Sequence, residues 1–176
     1  MGRVCPAPCE DGCNRNEVED HVGINAVEHY IGDVALEEKF ALWGAGADTG
    51  KSVAVIGGGP AGLAAAYQLR RKGHRCTIYE SKADLGGMMR YGIPGYRTTR
   101  DVVDAEIQRI LDLGVEAKLG TRVGEDISVE ELERDFDAIF WGIGAQAGRP
   151  LPVPGWVDTP NCITGVEFLE AFNQGW

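Results

Sequence analysis

Three glycines have the spacing that binds the diphosphate of a dinucleotide. Gly57, Gly59 and Gly62 form the pattern G-x-G-x-x-G directly after a short apolar run. In such a turn the first glycine permits the tight bend, the second lets the backbone approach a pyrophosphate, and the third lets the following helix pack against the strand. The N-terminus of that helix adds free N–H groups and the positive end of a dipole, both of which attract phosphate.

An acidic residue follows at the distance expected for a ribose contact. Glu80 lies eighteen residues beyond Gly62, at the end of the apolar run Cys76–Tyr79. A carboxylate in this position can accept hydrogen bonds from ribose hydroxyls. The glycine turn and the terminal acid together favour dinucleotide binding. The alternative is the glycine-rich turn of an ordinary α/β protein, with Glu80 merely solvated.

Hydrophobic patterns predict the elements that hold these residues in place. Val53–Ile56 and Cys76–Tyr79 are predicted strands, and residues 61–72 between them are a predicted helix. An amphipathic pattern over residues 100–113 predicts a second helix that ends at Gly114. Further predictions are a helical pattern around residues 24–40, strands at Val115–Leu119 and Ala138–Trp141, and short helices opened by capping boxes at Ser128-x-x-Glu131 and Thr164-x-x-Glu167.

The N-terminal segment carries a second chemical signal. Cys5, Cys9 and Cys13 are spaced C-x3-C-x3-C. The chain has five cysteines, an odd number, and no signal peptide, so we expect reduced thiols and a cytoplasmic protein rather than a disulfide framework. Thiolates close to proline and glycine suit iron–sulfur or zinc sites. Three ligands do not close a four-thiolate site, and three free cysteines in a flexible leader are the alternative.

The charge balance argues against two classes of partner. The chain has 17 basic and 27 acidic residues, which give a formal net charge of −10. This charge argues against binding to nucleic acid or to an anionic membrane. No apolar run approaches the roughly twenty residues that span a bilayer.

The continuation of the fingerprint indicates which dinucleotide is bound. Ala66, Leu69 and Gly73 precede Glu80 at positions that resemble the extended fingerprint of two-dinucleotide-binding flavoproteins, in which the first βαβ unit holds FAD. The segment Glu80–Met88 also resembles their E-x-x-x-x-x-G-G motif, where small residues run beside the flavin diphosphate. An NAD(P) site does not explain this glycine pair, so FAD is favoured over NAD(P). The resemblance implies FAD contacts from Gly57, Gly59, Pro60, Ala61, Gly62, Leu63, Glu80, Lys82, Gly87 and Met88.

The order of motifs along the chain resembles one known family. It runs from G-R-V-C-P, through V-x-V-I-G-x-G-P-A-G-L, to G-G-x-x-x-Y-G-I-P. This order is similar to that of the small subunit of glutamate synthase and its relatives. These are NAD(P)H-dependent iron–sulfur flavoproteins, and they include the N-terminal part of dihydropyrimidine dehydrogenase. The resemblance covers nearly the whole chain.

The resemblance implies two [4Fe–4S] clusters in a helical N-terminal domain, with interleaved ligands. By position, Cys5 and Cys9 would serve one cluster and Cys13 the other. Glu28, in I-N-A-V-E-H-Y, occupies the position of the family's non-cysteine ligand, and a solvated helix glutamate is the alternative. Cys5 and Cys9 depart from the family pattern, because they are closer together than in the glutamate synthase relatives.

The resemblance also implies two further contacts to the cofactor. Arg97 matches an arginine that lies near the flavin in the family, so it is a candidate flavin or phosphate contact. A salt bridge on a loop is the alternative. Val123 falls where the family's chain passes the adenine and donates backbone contacts. No residue is nominated as a general acid or base.

These observations predict an α/β fold with two parts. A Rossmann-like FAD-binding domain with a parallel sheet is predicted at residues 49–176, preceded by a short helical, cysteine-bearing leader of iron–sulfur type at residues 1–48. The implied function is to pass electrons from NAD(P)H through FAD and iron–sulfur clusters to a partner subunit. The alternative is a non-enzymatic assembly module that does not hold flavin on its own. No second glycine fingerprint follows Gly62, so the isolated chain is expected to lack the NAD(P)H domain and its activity.

The ligand count predicts that the isolated chain does not hold two intact clusters. The family's other cluster cysteines lie upstream of Cys5, where this chain has four residues. We therefore expect a fragment whose clusters need upstream residues or a partner subunit. Iron and acid-labile sulfide analysis of the anaerobically purified chain tests this expectation. A content of about eight irons per chain, as two [4Fe–4S] clusters contain, would contradict it.

Overall fold

The chain forms two compact units, one up to Leu42 and one from Trp43 onward. The computed structural model describes residues 2–40, 43–156, 159–160 and 162–175. The predicted boundary between residues 48 and 49 lies slightly further along the chain. Residues just before it already pack within the second unit, since the Gly46 N–H donates to the Arg70 carbonyl at 2.9 Å.

The first unit combines the cysteine segment with one long helix. Helix α1 covers Pro8–Asp11, a 3-10 turn follows at Asn14–Glu17, and helix α2 covers Ile24–Glu37. The residue before α2 is a glycine that offers no side-chain cap. Glu10 supplies the missing acceptor, because its Oε1 accepts the Asn25 N–H at 2.7 Å. The helical pattern predicted around residues 24–40 therefore corresponds to α2.

Four parallel strands form the sheet of the second unit, in the order β3-β2-β1-β4. The register places Ile56 between Tyr79 and Trp141, so the strands end together. Their carboxyl ends share one edge, where open α/β sheets bind ligands. The predicted α/β fold with a parallel sheet is confirmed. The strands are β1 at Ser52–Ile56, β2 at Arg75–Tyr79, β3 at Glu116–Lys118 and β4 at Ala138–Trp141.

Each connection between consecutive strands contains at least one helix. Both predicted capping boxes are present, with the Ser128 and Thr164 hydroxyls accepting the N–H of the third residue of their helices. The helix predicted to end at Gly114 ends earlier, at Leu111, and Gly114 turns the chain towards β3 with φ +83. None of the described helices is long and apolar enough to cross a membrane. They are α3 at Pro60–Arg71, α4 at Met88–Tyr91, α5 at Arg100–Leu111, α6 at Val129–Asp135 and α7 at Gly165–Asn173.

The central strand β1 is buried on both faces, which explains its continuous apolar sequence. Val53 and Val55 belong to one hydrophobic cluster, which also includes residues of α3 and α5. Ala54 and Ile56 belong to a second cluster, on the opposite face, together with Leu132 of α6. The glycine turn that follows β1 is therefore attached to the best-buried strand of the unit.

Truncation of Leu132 should test the second cluster. Its side chain is fully buried, so Leu132→Ala should lower the free energy of unfolding by about 3 kcal/mol through lost transfer free energy and a residual cavity. Leu119→Ala is the matched control, because that leucine is 46% exposed and surface changes usually stay within about 0.5 kcal/mol. Urea denaturation of both variants measures the difference. An equal loss of unfolding free energy in the two variants would show that Leu132 stabilises the unit no more than an exposed leucine does.

Candidate functional site

The turn after β1 needs glycine at its first position for two separate reasons. Gly57 has φ +98, a left-handed conformation that side chains rarely adopt. A Cβ atom on it would also lie 2.5 Å from the carbonyl oxygen of Gly142. The Gly142 N–H in turn donates to the Ile56 carbonyl at 2.8 Å. The backbone after β4 thus packs directly on the glycine turn.

The third glycine brings helix α3 against the turn. A Cβ atom on Gly62 would overlap the carbonyl oxygen of Gly57, as expected for close helix–strand packing. Pro60 opens α3, where its missing N–H costs nothing. Pro60 and Ala61 are exposed at this end of the helix, whereas Leu63 is buried in the core. The free N–H groups of the first turn of α3 are therefore available to an anion.

The second glycine differs from the other two. Gly59 has an ordinary extended conformation, with φ −79. Within the described ranges, a Cβ atom on it would contact only the Cα of Gly87, at 3.6 Å. Gly87 itself has φ +50, and a Cβ atom there would lie 2.7 Å from the Cα of Gly59. The Gly86 N–H donates to the Gly58 carbonyl at 2.8 Å, so the predicted glycine pair lies against the predicted phosphate turn.

Glu80 is a buried part of the same arrangement. Its Oε2 accepts the Gly58 N–H at 2.7 Å, and its Oε1 accepts the Lys82 N–H at 2.8 Å and the Ser81 hydroxyl at 3.3 Å. The residue is only 7% exposed, which rules out the solvated alternative. A carboxylate offers about four lone-pair sites, so roughly one remains for a ribose hydroxyl.

Two of the predicted contacts, Lys82 and Met88, lie beside this turn in different ways. The Lys82 ammonium forms an ion pair with Glu170 of α7 and lies 4.5 Å from the centroid of the Tyr91 ring. The backbone N–H of Lys82, but not its ammonium, forms a hydrogen bond with Glu80. Met88 opens α4 next to Gly87 and is 45% exposed.

Val123 and Arg97 lie on separate segments. The Thr121 N–H donates to the Glu80 carbonyl at 2.8 Å, so the chain that leads to Val123 runs beside the acidic end of β2. Val123 forms an isolated bridge with Ile127 and is half-buried. Arg97 is exposed, and the described part of the chain shows no ion pair for it. Both assignments stay predictions.

The cysteine segment does not form a closed metal site in this structure. Cys5, Cys9 and Cys13 are free thiols, and Glu28 is exposed on α2. Within residues 2–40 and the other described ranges, no three His, Cys, Asp or Glu side chains lie close enough to hold a metal ion. Backbone N–H groups, chiefly that of Val22, lower the pKa of the Cys13 thiol. The assignment of these four residues as ligands stays a prediction.

A cavity of about 480 Å³ lies at the opposite edge of the sheet. Ser52, Arg75 and Glu116, the first residues of β1, β2 and β3, line it. Ligands of open parallel sheets bind at the carboxyl ends of the strands. The glycine edge, rather than this cavity, is therefore the candidate site.

Gly142 is the site residue that the sequence analysis missed. A Cβ atom on it would lie 3.2 Å from the Gly62 nitrogen and 3.4 Å from the Ile56 carbonyl oxygen. It therefore takes part in the same backbone packing as the fingerprint. A glycine directly after the predicted strand Ala138–Trp141 was the available signal, but the position carries no phosphate pattern.

Comparisons with known proteins agree with this geometry. Residues 55–117 match the family model described as an NAD(P)-binding Rossmann-like domain. The chain is 43% identical over 171 residues to "Glutamate synthase [NADH]" of Schizosaccharomyces pombe, covering 96% of this chain and 8% of that protein. It is 44% identical over 155 residues to "Glutamate synthase [NADPH] small chain" of Mycobacterium tuberculosis H37Rv, covering 88% of this chain and 32% of that protein.

Two further similarities extend the comparison. The chain is 33% identical to the "NAD-dependent dihydropyrimidine dehydrogenase subunit PreT" of Salmonella typhimurium, covering 98% of this chain and 42% of that protein. The structure resembles that of Mycobacterium tuberculosis FprA in complex with NADPH with a TM-score of 0.65 and 23% identity, covering 71% of this chain and 29% of that one. The chain thus spans less than half the length of these relatives.

The predicted resemblance is confirmed. Over most of its length this chain is similar to the glutamate synthase small subunit and its relatives, including a dihydropyrimidine dehydrogenase subunit. The likeness to FprA concerns the fold alone.

Alanine at Gly62 and at Gly59 should affect the ligand-free chain differently. Gly62→Ala should lower the free energy of unfolding by about 1–3 kcal/mol, because its Cβ would overlap the Gly57 carbonyl oxygen. Gly59→Ala should leave that free energy unchanged or raise it by up to about 1 kcal/mol, since its backbone conformation and surroundings admit a methyl group. Urea denaturation without added cofactor measures both. A similar loss in the two variants would contradict the distinction.

Proposed function

We propose that this chain is the FAD-binding part of an oxidoreductase that passes electrons from NAD(P)H through FAD and iron–sulfur clusters to a partner subunit. The observation that carries the proposal is the contact between Gly59 and Gly87, which joins two glycine segments at the carboxyl edge of β1. The relatives named glutamate synthase [NADH] and [NADPH] support the oxidoreductase class and the nicotinamide donor.

The glycine turn alone does not distinguish FAD from NAD(P). The matching family model is described as NAD(P)-binding, and the glycine turn with its acidic residue would suit either dinucleotide. The second glycine segment is the discriminating feature. Gly86 and Gly87 lie against Gly58 and Gly59, and an NAD(P) fingerprint alone does not account for them. This arrangement supports FAD at this turn and leaves NAD(P)H as the electron donor.

The chain's own residues would bind and orient the cofactor. The glycine turn and the first turn of α3 would hold the diphosphate with backbone N–H groups and the helix dipole. Glu80 would accept a ribose hydroxyl with its remaining lone-pair capacity. Bound FAD would supply the conversion between two-electron and one-electron transfer, while the protein supplies binding and electrostatics.

The iron–sulfur part of the proposal rests on sequence resemblance. Cys5, Cys9, Cys13 and Glu28 are the proposed ligands in this chain. They do not converge on a metal site within the described residues. Further ligands, and the electron acceptor, would come from a partner subunit or from other domains.

Replacing Gly59 should test the FAD site directly. Gly59→Val should weaken FAD binding at least about tenfold, because the side chain would take the space of the diphosphate, while the chain stays folded. Gly44→Val is the matched control, since a Cβ atom there meets no atom of the described residues within 4 Å. Fluorescence titration with FAD and with NADPH, together with identification of any cofactor released from the purified chain, gives the readout.

Three results would change the assignment. Release of NAD(P) instead of FAD would show that the turn binds the nicotinamide dinucleotide. Retention of flavin by Gly59→Val would show that the turn does not hold the diphosphate. A folded parent chain that binds neither dinucleotide would favour the alternative, an assembly module that does not hold flavin alone.

A further inference from the structure

Two side chains from distant parts of the sequence bind the carbonyl groups at the end of α4. Asn173 of α7 donates its Nδ2 hydrogen to the Tyr91 carbonyl at 2.9 Å. Arg100, the first residue of α5, donates to the carbonyls of Met89 and Ile93 at 3.4 and 3.2 Å. The last carbonyls of a helix have no partner within it. These side chains therefore donate hydrogen bonds to carbonyls in and just after α4 that have no backbone partner within this four-residue helix.

The two donors act as one unit. Arg100 donates an Nη2 hydrogen to Asn173 Oδ1 at 2.7 Å. A guanidinium can only donate, so this bond directs the amide nitrogen of Asn173 towards the Tyr91 carbonyl. Bonds that involve an ionised donor are also shorter and stronger than neutral ones. Asn173 thus joins α7 to both α4 and α5, and we call Asn173 and Arg100 the α4 clamp.

Helix α7 is held at a second point on the same face. Glu170, which lies three residues before Asn173, forms an ion pair with Lys82. Residues three apart share a helix face, so both contacts come from one side of α7. The stacked pair Phe168 and Phe172 lies elsewhere on the helix, and both rings are about half exposed.

The clamp lies at one end of α4, and the candidate site lies at the other. Gly87 precedes α4 directly, and its backbone contacts Gly59. Four helical residues rise only about 6 Å. A shift of the clamped end would therefore also move Gly87 relative to the phosphate turn.

We propose that Asn173 is a positioning residue of the FAD site, which together with Arg100 holds α4 so that Gly87 stays against Gly59. The inference rests on the proposed function, because FAD is the ligand whose diphosphate would lie there. It goes further by giving a role to α7, which contributes no residue to the fingerprint.

Two substitutions at Asn173 separate its contacts. Asn173→Leu removes both hydrogen bonds, whereas Asn173→Asp keeps the acceptor for Arg100 and loses the donor to Tyr91. Gln174→Leu is the matched control, because among the described residues the Gln174 amide bonds only to Glu170 of its own helix region, at 3.1 Å. If Asn173→Leu fails to fold, Asn173→Asp carries the comparison.

Two measurements are made on each variant of the full chain. The first is hydrogen exchange of the Met89, Arg90 and Tyr91 amides without ligand, since these amides bond within the Gly86–Tyr91 turn. The second is the affinity for FAD, for ADP and for adenosine, which lacks the diphosphate. General destabilisation would weaken all three ligands, whereas displacement of Gly87 would act on the diphosphate alone.

We expect both Asn173 variants to exchange these amides at least about tenfold faster than the parent, and to bind FAD and ADP about tenfold more weakly. Adenosine affinity should stay within about twofold, and Gln174→Leu should match the parent. Unchanged hydrogen exchange of these amides would show that Asn173 does not hold α4. Faster exchange with unchanged FAD affinity, or an equal loss for adenosine, would overturn its ligand role. A parent chain that binds neither FAD nor ADP would overturn the proposed function itself, and the exchange result would still decide whether Asn173 holds α4.

Discussion

Direct contact between backbones at the carboxyl edge of the sheet is the constraint on which the site depends. The turn after β1 meets the carbonyl of Gly142, helix α3 meets the carbonyl of Gly57, and Gly87 meets Gly59. A side chain on Gly57, Gly62 or Gly87 would collide with the neighbouring backbone. Since β1 is a buried inner strand of the sheet, the other segments pack against the end of a well-packed element.

These contacts divide the glycines into two kinds. At Gly57, Gly62 and Gly87, the chain itself excludes a side chain, through a positive φ, a steric overlap or both. At Gly59 the backbone is ordinary and the surroundings admit a methyl group. The protein's own packing therefore does not require glycine at position 59, whereas a diphosphate in contact with the turn would. This difference supports the proposal that the diphosphate binds at Gly59.

Features set by neighbouring residues could be predicted from the sequence, and features set by distant residues could not. The strands, helix α3 and both capping boxes follow from hydrophobic period and from residues three or four positions apart, and the structure contains them. The contact of Gly142 with the turn and the bond between Asn173 and Tyr91 join residues about 80 positions apart and leave no local pattern. Helix α5 ends at Leu111, two residues before the predicted end, and the chain continues as a turn in which the N–H groups of Gly114 and Val115 both donate to the Leu111 carbonyl. Gly114, with φ +83, ends this turn before β3.

Glu80 shows how folding and binding use the same group. A buried carboxylate is costly unless hydrogen bonds compensate for the lost water, and here the N–H groups of Gly58 and Lys82 do so. The same bonds tie the end of β2 to the phosphate turn before any ligand arrives. A ribose hydroxyl would therefore meet a carboxylate whose position is already fixed, and less conformational freedom would be lost on binding. Glu80 is therefore a structural residue, and the hydrogen bonds that give it this role would also hold it in place for the proposed ligand.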